Sequence, residues 1–129
     1  MKLPLIITGT VVKGNHIGTG LNMPTANIFP DTDTSDYPNG VYFSQTLIDN
    51  VWYNSITNLG CKPTVQDSGK INLETYILDN NVDLYGKEIK VKLLEFRRDE
   101  QKFKDLAELQ ATVSQDFEAA RDYFHIKKQ

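Results

Sequence analysis

The chain's patterning predicts a mainly β, antiparallel fold, sandwich or barrel, finished by a single C-terminal helix. Three observations lead there. Short runs of β-branched and aromatic residues, separated by Gly, Pro, Asn and Asp, recur at intervals too short to hold intervening helices. Ile89, Val91 and Leu93 alternate with Glu88, Lys90 and Lys92, which gives a strand one buried and one wet face. After Phe103 the apolar spacing lengthens to three or four residues, through Leu106, Leu109, Val113, Phe117, Ala120 and Phe124.

Taken in order, strands are expected over 6–12, 41–48, 51–58, 73–78 and 89–96. Asp49-Asn50, both of which tolerate φ > 0, suit a tight hairpin turn between the second and third of these. A closed or nearly closed barrel would hide the sheet edges. The helix is expected over 105–124, opened by Asp105 with Glu108 in the manner of a capping box. Its stripe reads as core laid against the sheet. No internal repeat, low-complexity tract or linker interrupts the chain, so a single domain over 1–129 is expected, the barrel taking 5–97.

Composition narrows the function classes. The 129 residues are 40% hydrophobic, enough for one small core. A net charge of −3 argues against a nucleic-acid surface, which would need clustered Lys and Arg. Cys61 is the single cysteine, so no intrachain disulfide is possible, and a reducing compartment fits best. No apolar run approaches the roughly 20 residues that span a bilayer, and residues 1–7 lack a signal-peptide core. A cytoplasmic protein with no membrane partner is expected.

Chemistry concentrates near the start, in Gly14-Asn15-His16-Ile17-Gly18-Thr19-Gly20 running on to Pro24-Thr25-Ala26-Asn27. Gly9 and Gly14 have Walker A spacing, but Asn15-His16 stand where Lys-Ser/Thr is required. The dinucleotide fingerprint fails at Met23, where its third glycine should be. What survives is a backbone nest able to turn successive N–H groups toward one anion. Pro24 stiffens the segment after it, and Thr25 and Asn27, two apart in an extended stretch, point to the same side. A hydroxyl and an amide oxygen are neutral ligands suited to Mg²⁺, which takes its remaining ligands from water and substrate phosphates. Glu74 is the other candidate. It interrupts the apolar run from Ile71 to Leu78, on the face opposite Ile71, Leu73 and Ile77 and beside Asn72 and Tyr76. Strand periodicity alone favours a solvated carboxylate there; a general base would need a substrate hydroxyl within hydrogen-bond reach.

Together these segments resemble the riboflavin kinase family, whose members make flavin mononucleotide (FMN) from riboflavin and ATP. The resemblance rests on the glycine loop with Pro24-Thr25-Ala26-Asn27, then Asn39-Gly40-Val41-Tyr42, Asn58-Leu59-Gly60 and Pro63-Thr64, in that order. Leu73-Glu74-Thr75, Asp83-Leu84-Tyr85-Gly86-Lys87 and the segment from Arg98 to Phe103 complete it. It implies a six-stranded antiparallel Greek-key barrel with a C-terminal α-helix. It implies Mg²⁺ and phosphate on Thr25 and Asn27, and Glu74 as base on the ribityl 5′-hydroxyl. The glycine loop with Gly14 and Gly18 would cover the nucleotide, whose site would also draw on Ile77, Asp79 and Tyr85. Arg98, Gln101 and Phe103 would hold the flavin.

Two departures bear on nucleotide affinity: Thr19 stands where the family usually has a basic residue, and Asn22 where it has glycine. Lys13 could compensate for the first. Arg97 replaces an apolar residue and Lys62 an arginine, both milder changes, while His16 and His125 read as solvent-exposed. The expected partners are riboflavin and Mg-ATP, with a fused or separate FMN adenylyltransferase domain and a monomeric state. Two rivals stand beside the kinase. One is a non-catalytic flavin-binding paralogue with a drifted nucleotide loop, which retention of Thr25, Asn27 and Glu74 argues against. The other is an RNA-binding barrel, disfavoured by the acidic balance.

Overall fold

A computed structural model describes residues 1–12, 25–61, 71–80, 82 and 84–127. Six strands, β1 (Leu5–Thr10), β2 (Thr25–Ile28), β3 (Gly40–Ile48), β4 (Val51–Cys61), β5 (Ile71–Ile77) and β6 (Glu88–Asp99), precede the helix α1 (Leu106–Lys127). They form one antiparallel sheet in the order β1-β6-β3-β4-β5-β2. Five of the strands match the sequence reading. The sixth, β2, is only four residues long and lies in the Pro-Thr-Ala-Asn segment, too short to show a period of two.

The sheet curls until its two edge strands meet. Val12 N–H donates to the Asn27 carbonyl at 2.8 Å, a lone antiparallel bridge that closes the seam. Gly9 permits the approach, since a Cβ there would sit 2.9 Å from the Ile28 Cβ. Farther along the edge, Thr8 N–H donates to Asp31 Oδ1 at 3.0 Å. That bond, helped by the Thr32 hydroxyl, holds the Asp31 carboxyl below the usual carboxylate range. These two bonds occupy the Thr8 and Val12 N–H groups of the edge, which blunts it toward another chain's strand.

The barrel interior is apolar at Ile7, Ile28, Tyr42, Leu59, Leu73, Ile77, Val91 and Leu93. At mid-height it changes character. Ser44, Thr46, Ser55, Thr57 and Thr75 are buried and joined by hydroxyl–hydroxyl contacts of 2.7 to 2.9 Å. Each hydroxyl has at least one partner among the others, so the buried oxygens are satisfied within the barrel.

On the outside, α1 covers one side of the sheet. Val113, Phe117, Ala120 and Phe124 pack onto Val41, Phe43, Ile56, Tyr76 and Leu78. Leu106, although in phase with this stripe, is 46% exposed, because the first turn overhangs the sheet. Asp105 caps the helix by accepting the Glu108 N–H at 2.9 Å. The hairpin turn is as expected, Asp49 and Asn50 having φ of 49° and 67° between the paired Ile48 and Val51.

Candidate active site

Register explains the arrangement on the outer face. Residues directly opposite in antiparallel strands share a face. Asn27 on β2 lies opposite Glu74 on β5, and Glu74 lies opposite Asn58 on β4. Asn58 in turn faces Val41 on β3, and Val41 faces Arg98 on β6. Five residues far apart in sequence thus form one row running across five strands. At about 4.8 Å per strand, three steps separate Glu74 from Arg98, roughly 14 Å along the sheet. The next row contains Thr25, Tyr76, Ile56 and Phe43.

Glu74 is half-buried and Asn27 is buried, which places the carboxylate above the level of a solvated strand residue. Tyr76 donates its phenol hydroxyl to Glu74 Oε1 at 2.8 Å. Burial pushes the Tyr76 phenol well above its ordinary range, and the adjacent Glu74 carboxylate adds to the shift. Flanking Glu74, Asn58 Oδ1 and both polar atoms of the Asn72 amide are buried with no hydrogen-bond partner among the described residues. Unsatisfied buried amides are unusual in a folded chain, and here they border the only carboxylate on this face of β5. Beside them, Glu100 lies over Gly60, where any Cβ would collide with its carboxylate.

At the far end of the row, Asp116 of α1 is buried and receives two guanidinium groups. Arg98 Nε and Nη2 bond its two oxygens at 2.9 and 2.7 Å, and Arg97 Nε bonds Oδ1 at 2.8 Å. Adjacent residues reach one carboxylate because β6 is bulged against β3 between the partners of Val41 and Tyr42. Arg97, a departure from the family pattern, therefore has a structural partner. Arg98 Nη1 also donates to the Asp99 carbonyl at 3.0 Å, which fixes the guanidinium plane.

The other sequence candidates distribute as follows. Ile77 is fully buried in the barrel interior, so only its backbone could meet a nucleotide. Asp79, at φ 55°, pairs with Arg121 at 3.0 Å at the rim of an open recess of about 970 Å³ that Trp52 also lines. Tyr85 is 71% exposed, beside the positive-φ Gly86. Gln101 is exposed and Phe103 half-buried beyond the end of β6. His125 is exposed, as expected. Gly14, Gly18, Thr19, Asn22, Lys13, His16 and Lys62 lie outside the described residues, as does the Cys61 side chain. Sequence reasoning used Asn58 only as part of a resemblance motif and assigned no role to it or to Asp116; the register and the helix docking bring them to the row.

Among the described residues no cluster of three His, Cys, Asp or Glu gathers to hold a metal, and no helix is long and apolar enough to cross a membrane. A hard cation on this face would rest on neutral oxygens and on its own substrate's phosphates. Thr25 and Asn27, in line on β2 and adjacent to Glu74, fit that donor set.

Fold and face together define a small antiparallel barrel with a carboxylate between a hydroxyl–amide pair and an arginine. The family model Flavokinase (riboflavin kinase) matches residues 1–124, and the chain belongs to that family. Among its relatives, the bifunctional riboflavin kinase/FMN adenylyltransferase of Buchnera aphidicola subsp. Acyrthosiphon pisum is 39% identical over 124 residues. That match takes in 95% of this chain and 39% of the relative. A Trypanosoma brucei riboflavin kinase structure superposes with a TM-score of 0.66 at 25% identity, over 93% of this chain and 79% of that one. A Streptococcus pneumoniae structure described as a macrolide-efflux protein gives 0.72 at 30% identity, over 93% of this chain and 37% of that one. The chain spans 18% to 52% of the length of the curated relatives it matches.

Proposed function

We propose that this chain is a single riboflavin kinase domain that transfers the γ-phosphoryl group of Mg-ATP to the ribityl 5′-hydroxyl of riboflavin. The transverse row carries the reading: Asn27, Glu74, Asn58, Val41 and Arg98 follow one another across the sheet in the order a phosphoryl donor, a hydroxyl and a flavin would need. Glu74 accepts the 5′-hydroxyl proton as the oxygen bonds to the γ-phosphorus and the bridging oxygen leaves with ADP. Phosphoryl transfer asks the protein mainly for alignment and charge balance, so a fixed carboxylate and a rigid sheet suit it. Thr25 and Asn27 would hold Mg²⁺, whose charge, when bound, offsets that of the phosphates.

Asn58 and Asn72 present polar atoms beside Glu74 that have no partner among the described residues, and the ribityl hydroxyls would satisfy them. Arg98 contributes a flat, anchored surface near the flavin, with Gln101 and Phe103 beyond it. The family resemblance assigns Gly14 and Gly18 to the nucleotide, with Asp79, Tyr85 and the Ile77 backbone at its margin. The Buchnera relative carries an FMN adenylyltransferase activity in its name, and a fused or separate enzyme of that kind would consume the product.

The test is incubation of the purified chain with riboflavin, ATP and Mg²⁺, with FMN quantified by chromatography. Metal-dependent FMN that disappears in Glu74→Gln, while riboflavin binding persists, is expected. Flavin binding without product would replace the kinase by a non-catalytic flavin-binding module.

A further inference from the structure

Glu74 needs more than a location to serve as a base, because its side chain turns about three bonds and must present one oxygen to the substrate hydroxyl. Tyr76 supplies a constraint. It stands two residues on, on the same face of β5, and donates its hydroxyl to Oε1 at 2.8 Å. The ring itself has little room. Tyr76 is 8% exposed, meets Phe117 edge-on with centroids 5.6 Å apart at 70°, and lies between Thr25 on β2 and Ile56 on β4.

We propose that Tyr76 is a positioning residue: its hydroxyl, fixed by the packing of α1 on the sheet, sets the orientation of the Glu74 carboxylate for proton abstraction. The inference rests on Glu74 being the base. Among the described residues, Asp116 of α1 is a charged group that the Tyr76 phenol feels, and it is paired with Arg97 and Arg98 of β6. From β2 and β4 the neighbours are the uncharged Thr25, Asn27, Ile56 and Asn58.

Tyr76→Phe removes the hydroxyl and keeps the ring. A misdirected base should cost roughly 10- to 100-fold in kcat. KM for riboflavin should stay within about twofold. Tyr76→His, which restores a ring N–H donor, should recover part of the loss in kcat. Unchanged kcat in Tyr76→Phe would overturn the inference. So would parallel losses of kcat, substrate affinity and melting temperature that Tyr76→His leaves unrescued, the pattern of a purely structural residue. If Glu74→Gln itself keeps turnover, the reading of the base fails instead, so the two failures are distinct.

Discussion

Asn72 puts the functional reading and protein stability in opposition, which makes it a sharp place to test both. It is 2% exposed, and neither its Nδ2 nor its Oδ1 has a partner among the described residues. An unsatisfied buried amide costs about 1–3 kcal/mol of stability. Asn72→Leu keeps the side-chain volume close, removes both orphan atoms and lets β5 bury an apolar group beside Tyr76. Taking the lower half of that range, the variant should gain about 1–2 kcal/mol, which for a chain of this size raises the melting temperature by about 4–8 °C. The same substitution should weaken riboflavin, because two hydrogen-bonding atoms that the ribityl hydroxyls would use are gone. A loss of about 1–3 kcal/mol of binding corresponds to a Kd raised roughly 5- to 150-fold. Thermal melting followed by circular dichroism and a flavin fluorescence titration read the two effects separately. A melting temperature that falls would show that the amide is satisfied in the folded chain and that its orphan status was misjudged. A rise in stability with unchanged riboflavin affinity would detach Asn72 from the substrate.

The remaining predictions concern the ends of the row. Asp116→Ala strands two guanidinium groups that now converge on one buried carboxylate, and breaking such a pair should lower stability by about 3 kcal/mol; an unaltered melt would mean the ion pairs are energetically neutral. Thr25→Val preserves shape and removes the hydroxyl, so Mg-nucleotide affinity measured calorimetrically should drop while riboflavin affinity holds. Equal nucleotide affinity in that variant would exclude Thr25 from the cation site.

Most of the barrel could be read from local patterns because local physics decides it. Alternation defined β6, two positive-φ residues made the β3–β4 turn, and a capping aspartate with a three-to-four spacing made α1. The interior was harder. Ser44, Thr46, Ser55, Thr57 and Thr75 look like the wet positions of their strands, yet they point inward and satisfy one another. Gly9, which with Gly14 has Walker A spacing but not the motif's Lys-Ser/Thr, is a close contact at the seam. For the site, Thr25, Asn27 and Glu74 were individually visible as unusual residue choices. Their alignment with Asn58 and Arg98 was not, because register between strands depends on turns and bulges that no single segment encodes.

The seam between β1 and β2 has one further meaning. Asn27 closes it with its carbonyl, through Val12, while its side chain belongs to the row beside Glu74. Closing the cylinder and assembling the face are therefore one structural event, coupled through a single residue. Thermodynamic reciprocity then works in both directions: a ligand gripping Thr25 and Asn27 tightens the weakest join of the barrel, and loosening that join loosens the grip.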